Sequence, residues 1–289
     1  MKGAVVEENY GEVVIMGPNP EKCVSAESVK VGRHPSQLSD EELHELKQSI
    51  LIMIPHRPGL AFTKGMLETA GMWGNQGMRW GTLQDPQGGF VEVTRGKMVR
   101  NFLEYANDNP EVKYLVMIDA DEEVEWDAPL KLAAHGLPIV SGIVCGISTQ
   151  RGIFACFMSE DESGIKRFSS IRDTQKLPAT GIKKIPRCGT GLLCVRRDVL
   201  EVMLDSSENP FQVPNDAHEE GVREGNVIMS EDMAFCQRAE RFGFDIYVDF
   251  SVHARHHKGM MVSWPQERID EKISADDWKP SKFDYRGVT

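Results

Sequence analysis

The stretch Tyr114-Leu-Val-Met-Ile-Asp119-Ala-Asp121-Glu-Glu-Val runs an apolar segment directly into a cluster of carboxylates. Asp119 and Asp121 are two apart, so in extended backbone they point to the same side. Two hard carboxylate oxygens at one point suit a magnesium or manganese ion that also holds a diphosphate. The spacing fits a solvated acidic loop after a strand equally well.

Four further groups carry candidate chemistry. In Ser230-Glu231-Asp232 two carboxylates open a helix, where negative charge suits the helix dipole. Either can act as general base if it reaches an acceptor hydroxyl; both can be plain N-terminal stabilisers. His253, His256 and His257, with Arg255 and Lys258 among them, follow an apolar strand. Imidazole is a common metal ligand, so a histidine there can complete a site begun by Asp119 and Asp121, or the group is an exposed loop. Gly189-Thr190-Gly191 enters a strand and permits close backbone approach to a ligand, or forms a simple turn. Pro55-His56-Arg57-Pro58 and Thr94-Arg95-Gly96-Lys97, continuing to Arg100-Asn101, place cations near a strand end or a helix start. Arginine there suits a nucleotide phosphate, and surface solvation is the alternative.

The elements that must position these groups alternate. SILIMIP (49–55), YLVMI (114–118) and PIVSGIV (138–144) are short apolar runs, the pattern of strands buried on both faces. IFACFM, KKIP, GLLCV and FDIYVD are further strands, and FVEV (90–93) alternates like one. Helices are expected at about 60–70, 96–107, 128–134, 197–204 and 233–242. Ser39 with Glu42 three residues on is a capping box for another. GMWGNQGMRWGTLQDPQGG reads as a glycine-rich irregular loop or lid. The alternation implies an α/β fold with a mostly parallel sheet. Residues 1–48 are expected to form an N-terminal extension, with two short strands around Asn9-Tyr10-Gly11, and 49–260 the main body. Residues 261–289 form a polar tail that Trp264 and Trp278 can anchor.

The chain of 289 residues is long enough for a sizeable core, and 40% apolar with 27% charged residues excludes disorder throughout. No apolar run approaches the roughly 20 residues of a membrane helix, and Met1 to Tyr10 has no secretory pattern. The six cysteines show no CxxC pair, which argues against a structural zinc site and fits a reduced, cytoplasmic protein. The net charge of −11 speaks against a polyanionic partner. It is uneven, however. Residues 101–150 and 201–250 carry net charges of −7 and −9, and 151–200 carries +5. The basic stretch 163–187 contains Lys166, Arg167, Arg172, Lys176, Lys183, Lys184 and Arg187 against Asp173 alone.

Taken in order, SILIMIPHRP, TRGKMVRN, YLVMIDADEEV, LPIVSGIVCG, CGTGLLCVRRDVLEVM and SEDMAFCQRAERFGFDIYVDFSVHARHH resemble the nucleotide-sugar-dependent glycosyltransferases of the GT-A fold. They are most similar to the family-two-like enzymes of bacteriophages, over about residues 50–260. The resemblance implies a mostly parallel GT-A sheet flanked by helices, with Mn2+ or Mg2+ and a nucleoside-diphosphate sugar, UDP-sugar favoured. It implies that Asp119, Ala120 and Asp121 hold the metal and diphosphate, and that His256 is a late metal ligand. Asp232 matches the base of inverting members, with Glu231 its close competitor. Arg100 and Asn101 match the nucleotide-contacting helix, although Val99 stands where alanine is usual. Arg95 joins them on the donor side. Pro55 and Arg57 match the first nucleotide loop, and Gly189, Thr190 and Gly191 line the sugar or acceptor. One reading of the resemblance is a phage-encoded enzyme in the host cytoplasm with a hydroxymethylated pyrimidine in DNA as acceptor, which 163–187 would contact. A saccharide or protein acceptor is the other reading. A nucleotidyltransferase would want a glycine-rich phosphate loop where PHRPG stands, and a non-catalytic sugar-nucleotide binder would need no base.

Overall fold

In the computed structural model, residues 33–56, 62–84, 91–148, 152–160, 164, 166–170, 176–206, 209–213, 230–257 and 261–278 are described. Ser39 caps α1 (Asp40–Gln48) by accepting from the Glu42 backbone N–H, and Glu42 accepts in return from the Ser39 N–H. The chain then runs through β1 (Ile50–His56), α2 (Lys64–Asn75), β2 (Arg79–Gln84), α3 (Val91–Asp108), β3 (Tyr114–Ile118), β4 (Glu122–Val124) and α4 (Ala128–Ala134). Next come β5 (Ile139–Ile143), β6 (Cys145–Ser148), β7 (Gly152–Glu160), β8 (Lys166–Ser170), β9 (Leu177–Pro178), β10 (Ile182–Ile185), β11 (Arg187–Cys188) and β12 (Leu192–Arg196). The described chain closes with α5 (Arg197–Ser206), α6 (Glu231–Arg241), β13 (Ile246–His257), β14 (Met261–Val262) and β15 (Ile269–Asp270).

The main sheet has the order β10-β13-β5-β12-β3-β1-β2. β1 is parallel to β2 and β3, and β5 is parallel to β13. β12 runs antiparallel between β3 and β5, and β10 is antiparallel on β13. The protein is therefore α/β, with a mixed, mostly parallel sheet flanked by helices, as the alternation implies. Residues of one strand divide between two cores. Ile50, Ile52, Ile54, Val116 and Ile118 pack under α2 and α4 with Met66, Trp73 and Leu132. Met53, Leu115 and Met117 face α3, α5 and α6 with Phe102, Leu200 and Phe235. No helix among the described residues is long and apolar enough to cross a membrane.

Three local expectations are corrected. The glycine-rich segment after residue 70 is not an irregular loop over its described part. Residues 71–75 continue α2, and Arg79–Gln84 is β2, paired in register with β1. Glycine costs a helix up to about 1 kcal/mol. Fully buried Trp73, whose Nε1 donates to the Trp126 carbonyl at 2.8 Å, holds the helix onto the sheet. Residues 91–93 are not a strand but the first turn of α3, because burial of Thr94, Arg95, Met98, Val99 and Phe102 follows helical spacing. The last strand does not stop at Asp249; it continues to His257. The expected N-terminal strands around Asn9, and residues 85–90, lie outside the described residues.

The C-terminal segment packs into the body. Trp278 meets the rings of Phe157 and Phe250 edge-on at 5.9 and 5.4 Å, and its Nε1 donates to the Lys176 carbonyl at 3.0 Å. Trp264 is buried in the same core. Truncating a buried aromatic leaves a cavity, so Trp278→Ala is expected to cost about 3–5 kcal/mol in urea unfolding. A midpoint equal to wild type would show that this segment adds nothing to the core.

Candidate functional site

The strand ends meet at one edge of the sheet. β3 stops at Ile118, and the Asp119 N–H donates to the Gly191 carbonyl at 2.9 Å. The chain then turns at once, since the Glu122 N–H donates back to the Asp119 carbonyl at 3.0 Å. The backbone from Asp119 to Asp121 is thus a turn and not extended, because β4 must fold back to pair with β13. Glu122 lies opposite His256 in that ladder, and the His257 N–H donates to the Asp121 carbonyl at 2.8 Å.

β13 reaches the site because it bends. Its pairing with β5 shifts register between Val248 and His253, the irregularity that redirects a strand. Asp249 pins the bend: the Ser251 N–H and hydroxyl donate to one of its oxygens at 2.8 and 2.6 Å, and His135 Nε2 lies 2.8 Å from the other. Burial raises the Asp249 carboxyl, but the His135 and Ser251 bonds outweigh it and hold it below the usual range. Beyond the bend the strand pairs with β4 and β14, so His256 is strand-borne and buried, not on an exposed loop.

One ligand atom each from Asp121, Glu122 and His256 lies within 4.8 Å of the others. His256 Nδ1 is 2.8 Å from the Cys145 carbonyl, which can only accept, so Nδ1 carries a proton. Nε2 then faces Asp121 Oδ2 at 3.2 Å. Fixing one ring nitrogen on a carbonyl to aim the other is the usual support of a metal-binding histidine. Glu122 Oε1 lies 3.4 Å from Nδ1, and two carboxylates with an imidazole are a donor set that could hold a divalent ion.

The other half of the site is built on a buried cation. Arg95 is 3% exposed. Its Nη2 donates to both Asp119 oxygens at 2.8 and 3.0 Å, and its Nη1 to Glu231 at 2.5 Å and Asp232 at 3.3 Å. Burial disfavours its charge, but the three carboxylates more than compensate and raise its pKa. Ser230 caps α6 with its side chain, which places Glu231 and Asp232 in the first turn. Burial pushes Asp232 up to about 6, with Arg95 opposing, Glu231 adding and a bond from the Thr190 hydroxyl lowering it. A carboxylate with that affinity exchanges a proton near neutral pH.

The turn Gly189-Thr190-Gly191 spans the two halves. A Cβ at Gly191 would lie 3.1 Å from Glu122 Oε1 and 3.5 Å from Asp119 Oδ2, and one at Gly189 3.8 Å from Asp232 Oδ2. These contacts join Arg95, Asp119, Ala120, Asp121, Gly189, Thr190, Gly191, Glu231, Asp232 and His256 around one place. Pro55 lies at the carboxyl end of β1, paired with Leu83 of β2. Arg57 lies outside the described residues. Arg100 and Asn101 are exposed on another face of α3, five and six residues past Arg95. Arg100 lines a groove of about 270 Å³ with Leu103, Glu201 and Asp205, so the structure does not bring it to the carboxylates. Sequence reasoning left Glu122 inside an acidic run. The signal was the alternation Glu122-Glu123-Val124, which buries the first and third residues as a short strand.

The basic stretch is largely paired within the chain. Arg187 and Lys166 meet Glu240 at 2.6 and 3.8 Å, Lys184 meets Asp245 at 2.6 Å, and Lys176 meets Asp270 at 3.5 Å. Lys183 donates to the carbonyls of Ala275 and Asp276 at 3.2 and 3.3 Å. Arg172 lies outside the described residues.

No protein-family model matches the sequence, and no curated protein does. Solved structures similar to it include A197 from STIV, at 16% identity and a TM-score of 0.44, covering 82% of this chain and 95% of that one. GalNAc-T7, solved with UDP, GalNAc and Mn2+, is 10% identical with a TM-score of 0.40, over 72% of this chain and 43% of that one. A glycosyltransferase involved in glycosylating the major capsid of PBCV-1 is 13% identical with a TM-score of 0.31, over 69% and 93%.

Gly191→Ala tests the close packing of the two halves. The added methyl is expected to displace buried Glu122 and weaken Mn2+ binding about tenfold in a calorimetric titration. Unchanged affinity would show that Glu122 takes no part in holding the ion.

Proposed function

We propose that this chain is a metal-dependent glycosyltransferase that moves a sugar from a nucleoside-diphosphate sugar to an acceptor hydroxyl. The observation that carries the proposal is the meeting, at one sheet edge, of a metal-type donor set with a carboxylate of raised proton affinity. Asp121, Glu122 and His256 would hold the ion. When bound, a divalent ion neutralises the charge that develops on a diphosphate leaving group. Asp232 takes the proton of the acceptor hydroxyl as its oxygen bonds to the anomeric carbon. The bond from that carbon to the diphosphate oxygen breaks, and the nucleoside diphosphate leaves with the electron pair. One displacement inverts the anomeric centre. Glu231, beside Asp232, is the competitor for the base role. Asp119, in the same turn as Asp121, supports the donor side, and the nucleotide is assigned to Pro55 and Arg57 by the family resemblance alone.

The acceptor is better read as a saccharide or protein than as hydroxymethylated DNA. Five cations of 163–187 already pair with carboxylates or carbonyls of this chain.

Asp121→Ala is expected to abolish Mn2+-dependent transfer, measured with labelled donors. Full turnover in chelator-treated buffer would overturn the metal reading. The base must be ionised, so kcat/KM is expected to be full above about pH 6 and to fall as pH drops through it. Asp232→Asn should lower kcat by roughly 10²–10⁴ with donor KM little changed. Retained turnover moves the base role to Glu231. Duplex-DNA affinity should be weak and nearly independent of salt; a steep loss with salt would restore the DNA acceptor.

A further inference from the structure

We infer that Arg95 is a positioning residue: it ties Asp119 on the donor side to Glu231 and Asp232 on the acceptor side, so that the two halves form as one unit. The kinetic part of this inference rests on the transferase reading above, and the structural part does not.

Three elements meet at this side chain's fork, beside the Gly189–Gly191 turn that also touches both sides through the Asp119 N–H to Gly191 carbonyl bond and the Thr190 to Asp232 bond. Asp119 ends β3, Glu231 and Asp232 open α6, and Arg95 comes from α3. One Nη serves Asp119 and the other serves the α6 pair. A planar guanidinium can bond two partners in fixed directions, whereas an ammonium is a point charge. Arg95 Nε is buried without a hydrogen-bond partner among the described residues, so the Nη groups carry the interaction.

The turn of α3 that presents Arg95 is itself anchored. Gly96 sits so close to Asn209 that a Cβ would come within 2.6 Å of its side chain. Asn209 Nδ2 donates to the Glu92 carbonyl at 2.9 Å. Arg95 was expected to contact a nucleotide phosphate. With both Nη groups committed to carboxylates, it acts through them. Without it, three carboxylates would face one another in a poorly solvated space and push the two halves apart.

The test compares Arg95→Lys and Arg95→Ala with wild type in full-length protein. Hydrogen exchange is followed over residues 119–124 and 231–236, and transfer kinetics are measured with and without low guanidinium chloride. In Arg95→Lys, exchange should rise in both segments together, and kcat should fall about tenfold or more with donor KM within about threefold. In Arg95→Ala, guanidinium should restore both protection and kcat. Exchange rising in one segment only, wild-type kcat in Arg95→Lys, or no response of folded Arg95→Ala to guanidinium would each overturn the inference. If the Arg95 variants do not fold, Glu231→Ala removes the Glu231 arm and keeps the Arg95–Asp119 pair. Faster exchange at 119–124 then supports the tie, and an unchanged rate overturns it. A wild-type protein that transfers no sugar from any donor removes the transferase reading, and the exchange data alone then decide the tie.

Discussion

A buried cation shared by three carboxylates is the constraint on which the site depends. Arg95 is taken almost wholly from water, so its charge must be answered by fixed partners. Those partners come from the end of β3 and the first turn of α6, far apart in sequence. Meeting that demand brings Asp119 and Asp232 to one place, and desolvation there raises the proton affinity of Asp232. The same electrostatics that hold the architecture together therefore also set the chemistry.

The second constraint is the bend in β13. The register shift after Val248, pinned by Asp249 through His135 and Ser251, lets the strand leave β5 and take up β4 and β14. The β4 ladder then sets Glu122 opposite His256, and the Cys145 carbonyl selects the ring nitrogen that points inward. Backbone pairing thus determines which side chains can share an ion.

The uneven charge takes on a physical meaning in the same way. Part of the acidity of 101–150 and 201–250 is gathered at the sheet edge, where a divalent ion would offset it. Another part answers the basic stretch, as Glu240 and Asp245 do for Arg187, Lys166 and Lys184. The pairing with Glu240 and Asp245 is largely at the surface and contributes little stability. It does engage those cations within the chain, although Lys184 keeps 64% of its side chain exposed.

Strands and helices with strong burial were legible in the residues alone. The runs 49–55, 114–118 and 138–144 are apolar enough to read as buried strands, and Ser39 with Glu42 caps its helix through purely local bonds. The sequence by itself therefore determined the α/β alternation and named Asp119, Asp121, Glu231, Asp232 and His256 as groups of interest. Only the tertiary structure decided their partners. The segment around Trp73 is poor helix material and becomes a helix because Trp73 has a core to enter. Residues 91–93 alternate like a strand but join a helix whose next turns are buried. Arg95 is locally just another cation at a helix start, and Glu122 one of several acids. Their roles come from desolvation and from ladder register, which depend on residues from 24 to more than a hundred positions away and leave no trace in local spacing.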